Sequence, residues 1–216
     1  GFEETKASVY KSLEKLKTDY LDLCLLHQPF SDYYGAYRAL EDLYSEGVLK
    51  AIGVSNFYPD RLVDLASFTK IPPQVNQIER HPYQQQKEAF VWMDKYHVQK
   101  EAWAPFGEGR KDIFKDETLN RIAISHQKTV AQVILRWQLQ TGCVAIPKSI
   151  HKERMVENFN IFDFELTKEE LLQIASLDTN ESSFFSHYDP NKVEWFVKMV
   201  EQRKSTHDCT KEKKSW

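Results

Sequence analysis

Five short apolar runs alternate with segments of helical periodicity along most of this chain, and that alternation limits the folds open to it. Residues 3–17 space Val9, Leu13 and Leu16 for one helix face. An apolar run at 20–27 follows. Then "YGAYRALEDLYSEGVLKAIGVSNF" repeats the plan: Tyr37, Leu40 and Leu43 at helical spacing, Gly47 as a helix stop, and a strand "LKAIGVS". "PDRLVDLASF" reads as a helix with Pro59 in its first turn, and "PPQVNQIER" as a strand. "KEAFVWMDKYH" (helix), "VQKEAWAPF" (strand), "DETLNRIAISH" and "TVAQVILRWQLQTG" (helices) and "CVAIP" (strand) come next. Two more helices follow, "IHKERMVENFN" and "TKEELLQIASLD", the second with Thr167 and Glu170 as a capping box. Strands and helices in strict alternation with short turns predict βα units on a parallel sheet.

"LDLCLLHQPF" (21–30) shows how such a strand ends. Its leucines neither alternate nor extend far enough for a helix, which suits a strand covered on both faces. His27 then falls at the carboxyl end, and Pro29 stops the pairing. Alone, such a histidine is more often structural than functional. The pattern recurs, however: Ser55 with Asn56, Gln77 with Glu79, Trp103, and Lys148 with Ser149 close the other four strands.

The sheet could be doubly wound or a (β/α)8 barrel. No GxGxxG follows a strand; Gly107-Glu108-Gly109 lacks the third glycine, so the dinucleotide fingerprint of open sheets is missing. In a barrel the carboxyl ends of all strands line one mouth where sites form, and five polar or aromatic strand ends fit that mouth.

Bulk properties exclude several classes. A net charge of -3 recommends neither nucleic acid nor an anionic membrane as partner. Cys24, Cys143 and Cys209 lie far apart without CxxC spacing, which argues for reduced thiols in a cytoplasm rather than a disulfide or zinc framework. No run approaches a membrane span, and no signal-peptide pattern is present. His81, His97, His126, His151, His187 and His207 show no metal-ligand spacing and read as structural or surface residues, so no metal is expected.

Taken in order, "LDLCLLHQP", "GVSNF", "QVNQIERHPY", "EAWAPFG" and "IPKSIHKERMVENFNIFDFELT" resemble the consecutive signatures of the aldo-keto reductases, over roughly residues 1–180. The bacterial diketogulonate-reductase-like branch is the nearest in pattern. The resemblance implies an α/β (β/α)8 TIM barrel that binds NADP(H) without a Rossmann motif and reduces small aldehydes or ketones. It further implies that this chain holds strands 4–8 with their helices, lacking the N-terminal third. The expected domain covers 1–200, with 201–216 a polar, disordered tail. A monomer is expected for the full-length parent, with cytoplasmic location.

By the same resemblance, His27 is the catalytic histidine that hydrogen-bonds the substrate carbonyl, a chemically sensible role for an imidazole beside a developing alkoxide. Ser55, Asn56 and Gln77 hold the nicotinamide carboxamide, which needs both a donor and an acceptor. Trp103 stacks on the nicotinamide. Lys148, Ser149 and Arg154 suit the adenosine 2'-phosphate, two cations beside a helix N-terminus, and favour NADPH over NADH. Arg154, Glu157 and Asn158 share one helical face toward the adenosine. His27 and Gln28 contact substrate.

Departures are specific. Gln28 replaces a tryptophan common in one large branch, and Ala104 stands where many members carry serine. The family's catalytic tyrosine, its lysine and its aspartate belong to the first three βα units. None of the ten tyrosines here lies at a matching position. A non-catalytic NADP(H)-binding or regulatory protein is therefore the main rival. A hydrolase using Ser55 ranks last, because "GVSNF" lacks the GxSxG elbow.

Overall fold

Five parallel strands pair in chain order, β1-β2-β3-β4-β5, in one sheet. The computed structural model describes residues 1–212, with side chains as far as Gln202. The strands are β1 (Cys24–Leu26), β2 (Ile52–Ser55), β3 (Val75–Glu79), β4 (Gln99–Trp103) and β5 (Cys143–Ala145). Helices α1 (Phe2–Leu16), α2 (Tyr33–Ser45), α3 (Pro59–Phe68) and α4 (Lys87–Lys95) separate the first four. An irregular 3₁₀-rich segment (Gly107–Lys115), α5 (Glu117–Ser125) and α6 (Val130–Gln140) precede β5, and α7 (Lys152–Phe159) and α8 (Lys168–Ala175) follow it. A doubly wound sheet reverses its strand order at a switch point. This one does not reverse, so the barrel-type reading holds and the doubly wound alternative falls.

The register sorts side chains onto two faces. Ile52, Val54, Ile78 and Ala102 are buried on the helix side; the first three pack with Tyr37, Leu40, Leu43, Phe57, Leu62, Leu65 and Met93 in one core cluster. On the inner face lie Gly53 opposite Val75, Ser55 opposite Gln77, Gln77 opposite Glu101, and Glu79 opposite Trp103. A second cluster joins Leu119, Ile122, Val133, Ile134, Trp137 and Ile174 from α5, α6 and α8 with Leu166 just before α8. Between the two, the buried Arg80 guanidinium lies over Phe90 at 4.4 Å and Trp137 at 3.9 Å and donates to Gln138. Full burial of one such leucine stabilises by about 1.5–3 kcal/mol.

Local chemistry explains most element ends. Gly47 and Gly142 adopt φ of 79° and 75° just past α2 and α6, where a Cβ would be strained. Thr167 and Glu170 form the expected capping box, and Thr129 with Gln132 forms a second that the sequence reading passed over. Three expectations need correction. Leu16 is exposed, because the chain turns left-handed at Lys17 and only Val9 and Leu13 carry the packing of α1. The run at 20–27 pairs as a strand only over Cys24–Leu26, because a bend at Asp22 leaves Leu21 as an isolated bridge to Leu49. Lys148 does not end a strand, and Ser149 does not open a helix. β5 stops at Ala145 and α7 starts at Lys152, since the Ser149 hydroxyl takes the His151 amide at 3.1 Å in a local turn.

Residues 1–183 form one compact unit, and a second begins at Phe184. The second holds α9 (Pro190–Glu212), with Phe185, Trp195 and Phe196 in edge-on ring contacts. The segment read as a tail from 201 onward thus has its first part in α9, and residues 213–216 lie outside the described residues. Among the described residues, no helix is long and apolar enough to cross a membrane, and no three His, Cys, Asp or Glu side chains gather as metal ligands.

Candidate active site at the carboxyl ends of the strands

The polar strand ends form one hydrogen-bonded network. Asn56, held at φ 63° just after β2, uses both amide hydrogens: Nδ2 donates to His27 O at 3.1 Å and to Ser55 Oγ at 3.1 Å. Its Oδ1 accepts from Trp103 Nε1 at 2.8 Å. Ser55 Oγ in turn donates to Gln77 O at 2.9 Å. Toward a ligand, Asn56 and Ser55 therefore offer only lone pairs, whatever their resemblance to carboxamide-gripping residues. Gln77 is different. Its Nε2 donates to Glu101 Oε1 at 2.5 Å, and its Oε1 has no partner among the described residues. The backbone strain at Asn56 and at Ala104 (φ 46°) sits where β2 and β4 end, as strain at working sites commonly does.

His27, the residue after β1, is exposed, and its ring makes no hydrogen bond among the described residues. Gln28 follows it, half-buried. Three tyrosine hydroxyls are committed elsewhere: Tyr34 to Asp64, Tyr37 to Ile71 O and Tyr83 to Asp116. Burial, then the neighbouring carboxylate, pushes Tyr34 and Tyr83 each up to about 12, the wrong direction for a proton donor at neutral pH.

A cavity of about 790 Å³ lies beyond the strand ends. Lys148, Ser149, Arg154, Glu157 and Asn158 all line it, together with Phe106, Phe114, Asn120, Ile124, Lys128 and Thr129. Spacing alone put Arg154, Glu157 and Asn158 on one helix face, and the structure turns that face into the cavity. Lys148 and Arg154 make no ion pair among the described residues, whereas Lys128 is held by Asp163 at 2.7 Å. Glu157 accepts from Thr129 Oγ1 at 2.6 Å, tying α7 to the start of α6. Trp103 in the network and Phe106 in the cavity are three residues apart, so the two regions share one connection. Two unpaired cations in a groove, an amide with an open acceptor and a hydrogen-bonded indole are a donor set that fits a phosphorylated dinucleotide.

The sequence reading missed Phe106, Phe114, Asn120 and Glu101. Phe114 and Asn120 sit in a segment without motif, whereas Phe106 and Glu101 lie inside "EAWAPFG", which shows neither the groove nor the register. Of the other histidines, His81 is buried with Nε2 3.0 Å from Glu79 and 3.2 Å from Ser183, and His126 Nε2 is 2.9 Å from Glu170. Both are structural.

A βα sheet of this order with its site at the strand ends defines a barrel-type α/β protein, and comparisons narrow that class. The sequence profile of the aldo/keto reductase family matches residues 3–179. Glyoxal reductase of Bacillus subtilis (strain 168) is 48% identical over 182 residues, which is 84% of this chain and 65% of that protein. An aldo-keto reductase enzyme from a Medee basin deep-sea metagenome library superposes with a TM-score of 0.84 at 41% identity, covering 88% of this chain and 71% of that one. An aldo-keto reductase of Bombyx mori in complex with NADP superposes with a TM-score of 0.81 at 30% identity, covering 86% and 66%. The chain belongs to the aldo/keto reductase family. It spans about 65% of the length of the glyoxal reductase it matches.

Proposed function

We propose that this chain is the nucleotide-holding and carbonyl-facing part of an NADPH-dependent reductase of small aldehydes and ketones. The observation that carries the reading is the groove in which Lys148 and Arg154, without an ion pair among the described residues, stand beside Ser149, Glu157 and Asn158. In this reading Lys148 and Arg154 take the adenosine 2'-phosphate, and Glu157 and Asn158 face the adenosine. Gln77 accepts from the nicotinamide carboxamide, with Ser55 and Asn56 offering their remaining lone pairs. Trp103, its indole N–H fixed on Asn56, sets which face of the nicotinamide looks at the substrate. NADPH, when bound, supplies the hydride that reduces the carbonyl carbon. His27 donates a hydrogen bond to the carbonyl oxygen, and Gln28 forms a wall of the pocket.

The five strands are, in this reading, the last five of an eight-stranded barrel, and the proton for the nascent alkoxide comes from the first three βα units. Similarity to a glyoxal reductase makes small 2-oxoaldehydes the first substrates to try. The parent acts as a cytoplasmic monomer. A non-catalytic NADP(H)-binding role is the second reading, favoured by the commitment of Tyr34, Tyr37 and Tyr83 to other partners.

The test is a titration of the chain with NADPH and NADH, followed by tryptophan fluorescence and then by NADPH oxidation with glyoxal. NADPH should bind more tightly than NADH. Turnover should be undetectable until the first three βα units are supplied, since general acid catalysis alone is worth about 10²- to 10⁴-fold. Failure to bind NADPH overturns the reading. Binding without turnover, even with those units present, favours the second.

A further inference from the structure

We infer that Glu101 is a positioning residue that fixes which end of the Gln77 amide faces the nicotinamide; the inference rests on the nicotinamide lying at the strand ends as proposed above. Gln77 and Glu101 are directly opposite each other in the β3–β4 register, on the inner face shared with Ser55 and Trp103. An amide has two chemically distinct ends, and rotation about its last torsion exchanges them at little cost. A carboxylate can only accept. The 2.5 Å contact from Gln77 Nε2 to Glu101 Oε1 therefore forces nitrogen toward β4 and leaves Oε1 toward the site. Replaced by a group that can donate, position 101 would no longer enforce that choice.

The ordering matters because the neighbouring polar groups are already spent. Both Asn56 amide hydrogens and the Ser55 hydroxyl hydrogen go to protein acceptors. Gln77 Oε1 is thus the acceptor whose direction is set by a dedicated partner. Glu101 also makes no ion pair among the described residues, so its negative charge is offset there only by a neutral amide donor. An oxidised nicotinamide ring is cationic and a reduced one is neutral. A carboxylate beside the amide that holds the ring therefore favours the oxidised form, as opposite charges do at short range.

The experiment measures Kd for NADP+ and for NADPH on the chain and on Glu101→Gln and Glu101→Asp, with circular dichroism and thermal melting to confirm folding. Glu101→Gln should weaken NADP+ about tenfold, the factor that corresponds to 1.4 kcal/mol, and NADPH about threefold or less. Glu101→Asp keeps charge and acceptor character and should retain the wild-type ratio of the two constants. A merely structural role would lower the melting temperature and weaken both nucleotides equally. That result overturns the inference, as does a folded Glu101→Gln with both constants unchanged. If the unsubstituted chain binds neither nucleotide, the functional reading falls and carries the inference with it. Should Glu101→Gln not fold, a changed ratio in Glu101→Asp overturns the inference and an unchanged one supports it.

Discussion

The indole N–H of Trp103 ends on Asn56 Oδ1 at 2.8 Å, joining the last residue of β4 to the left-handed residue that follows β2. Two strand ends that are not neighbours in the sheet are thereby tied across β3. Trp103→Phe keeps a ring but leaves Oδ1 without that donor. The variant should unfold with about 1 kcal/mol less stability in urea, and NADPH should bind several-fold more weakly because the ring is free to turn.

Arg154 faces the groove as a planar guanidinium with no ion pair among the described residues. Arg154→Ala should weaken NADPH by about 30-fold or more, the scale of a charge-assisted phosphate contact. NADH, lacking the 2'-phosphate, should change by less than about threefold. Equal loss for both nucleotides in the titration would remove Arg154 from phosphate recognition.

Gly53 and Ala104 should respond to substitution with opposite signs. A Cβ on Gly53 would lie 2.3 Å from Val75 O, a backbone atom that cannot retreat without breaking the β2–β3 ladder. Gly53→Ala should cost about 3 kcal/mol or leave no cooperative melt. Ala104 holds φ 46°, a conformation that costs an L-residue about 1–2 kcal/mol and glycine nothing. Ala104→Gly should raise stability by about 1 kcal/mol, less whatever entropy the unfolded chain gains.

Acid stability should depend on Glu170. Burial pushes its carboxyl up, but hydrogen bonds from His126 and from the Thr167 amide outweigh burial and hold it below its ordinary value of 4.5. A carboxyl lowered in the folded state contributes stability that is complete above the unfolded value and lost as pH falls through the folded one. Glu170→Gln keeps a capping side chain at the same helix position. Its unfolding free energy should therefore fall less steeply than wild type as pH drops below about 4.5, with about 1 kcal/mol or less separating the two at neutral pH.

How much of this was legible depended on whether the information was local. The first strand ends announced themselves by a short apolar run closed by a polar residue, as at His27 and Ser55, whereas β5 stops at Ala145, short of the expected Lys148. The face shared by Arg154, Glu157 and Asn158 followed from helical spacing. Glu101 was not legible, because its meaning lies in pairing with Gln77, twenty-four positions earlier, and nothing within "EAWAPFG" states that register. Nor could the start of α7 be placed, since Ser149 looks like a helix cap and uses its hydroxyl one turn too early. The saturation of Asn56 was equally hidden: its type suggests a ligand-gripping amide, and only the folded positions of His27 O and Trp103 show where its hydrogens and oxygen go.

Val144 and Ile146 point to a practical consequence of the way β5 ends the described sheet. Val144 is 42% exposed and Ile146 is 46% exposed, on and just beyond a strand whose outer side has no pairing partner among the described residues. Backbone groups left open along a strand recruit other strands. At the bench, concentration then becomes the governing variable. Light scattering should rise with protein concentration, and a Lys at position 144, opposite Glu101 in the β4–β5 register, should lower it. Preparations kept dilute, or supplied with nucleotide before concentrating, should be the ones that stay clear.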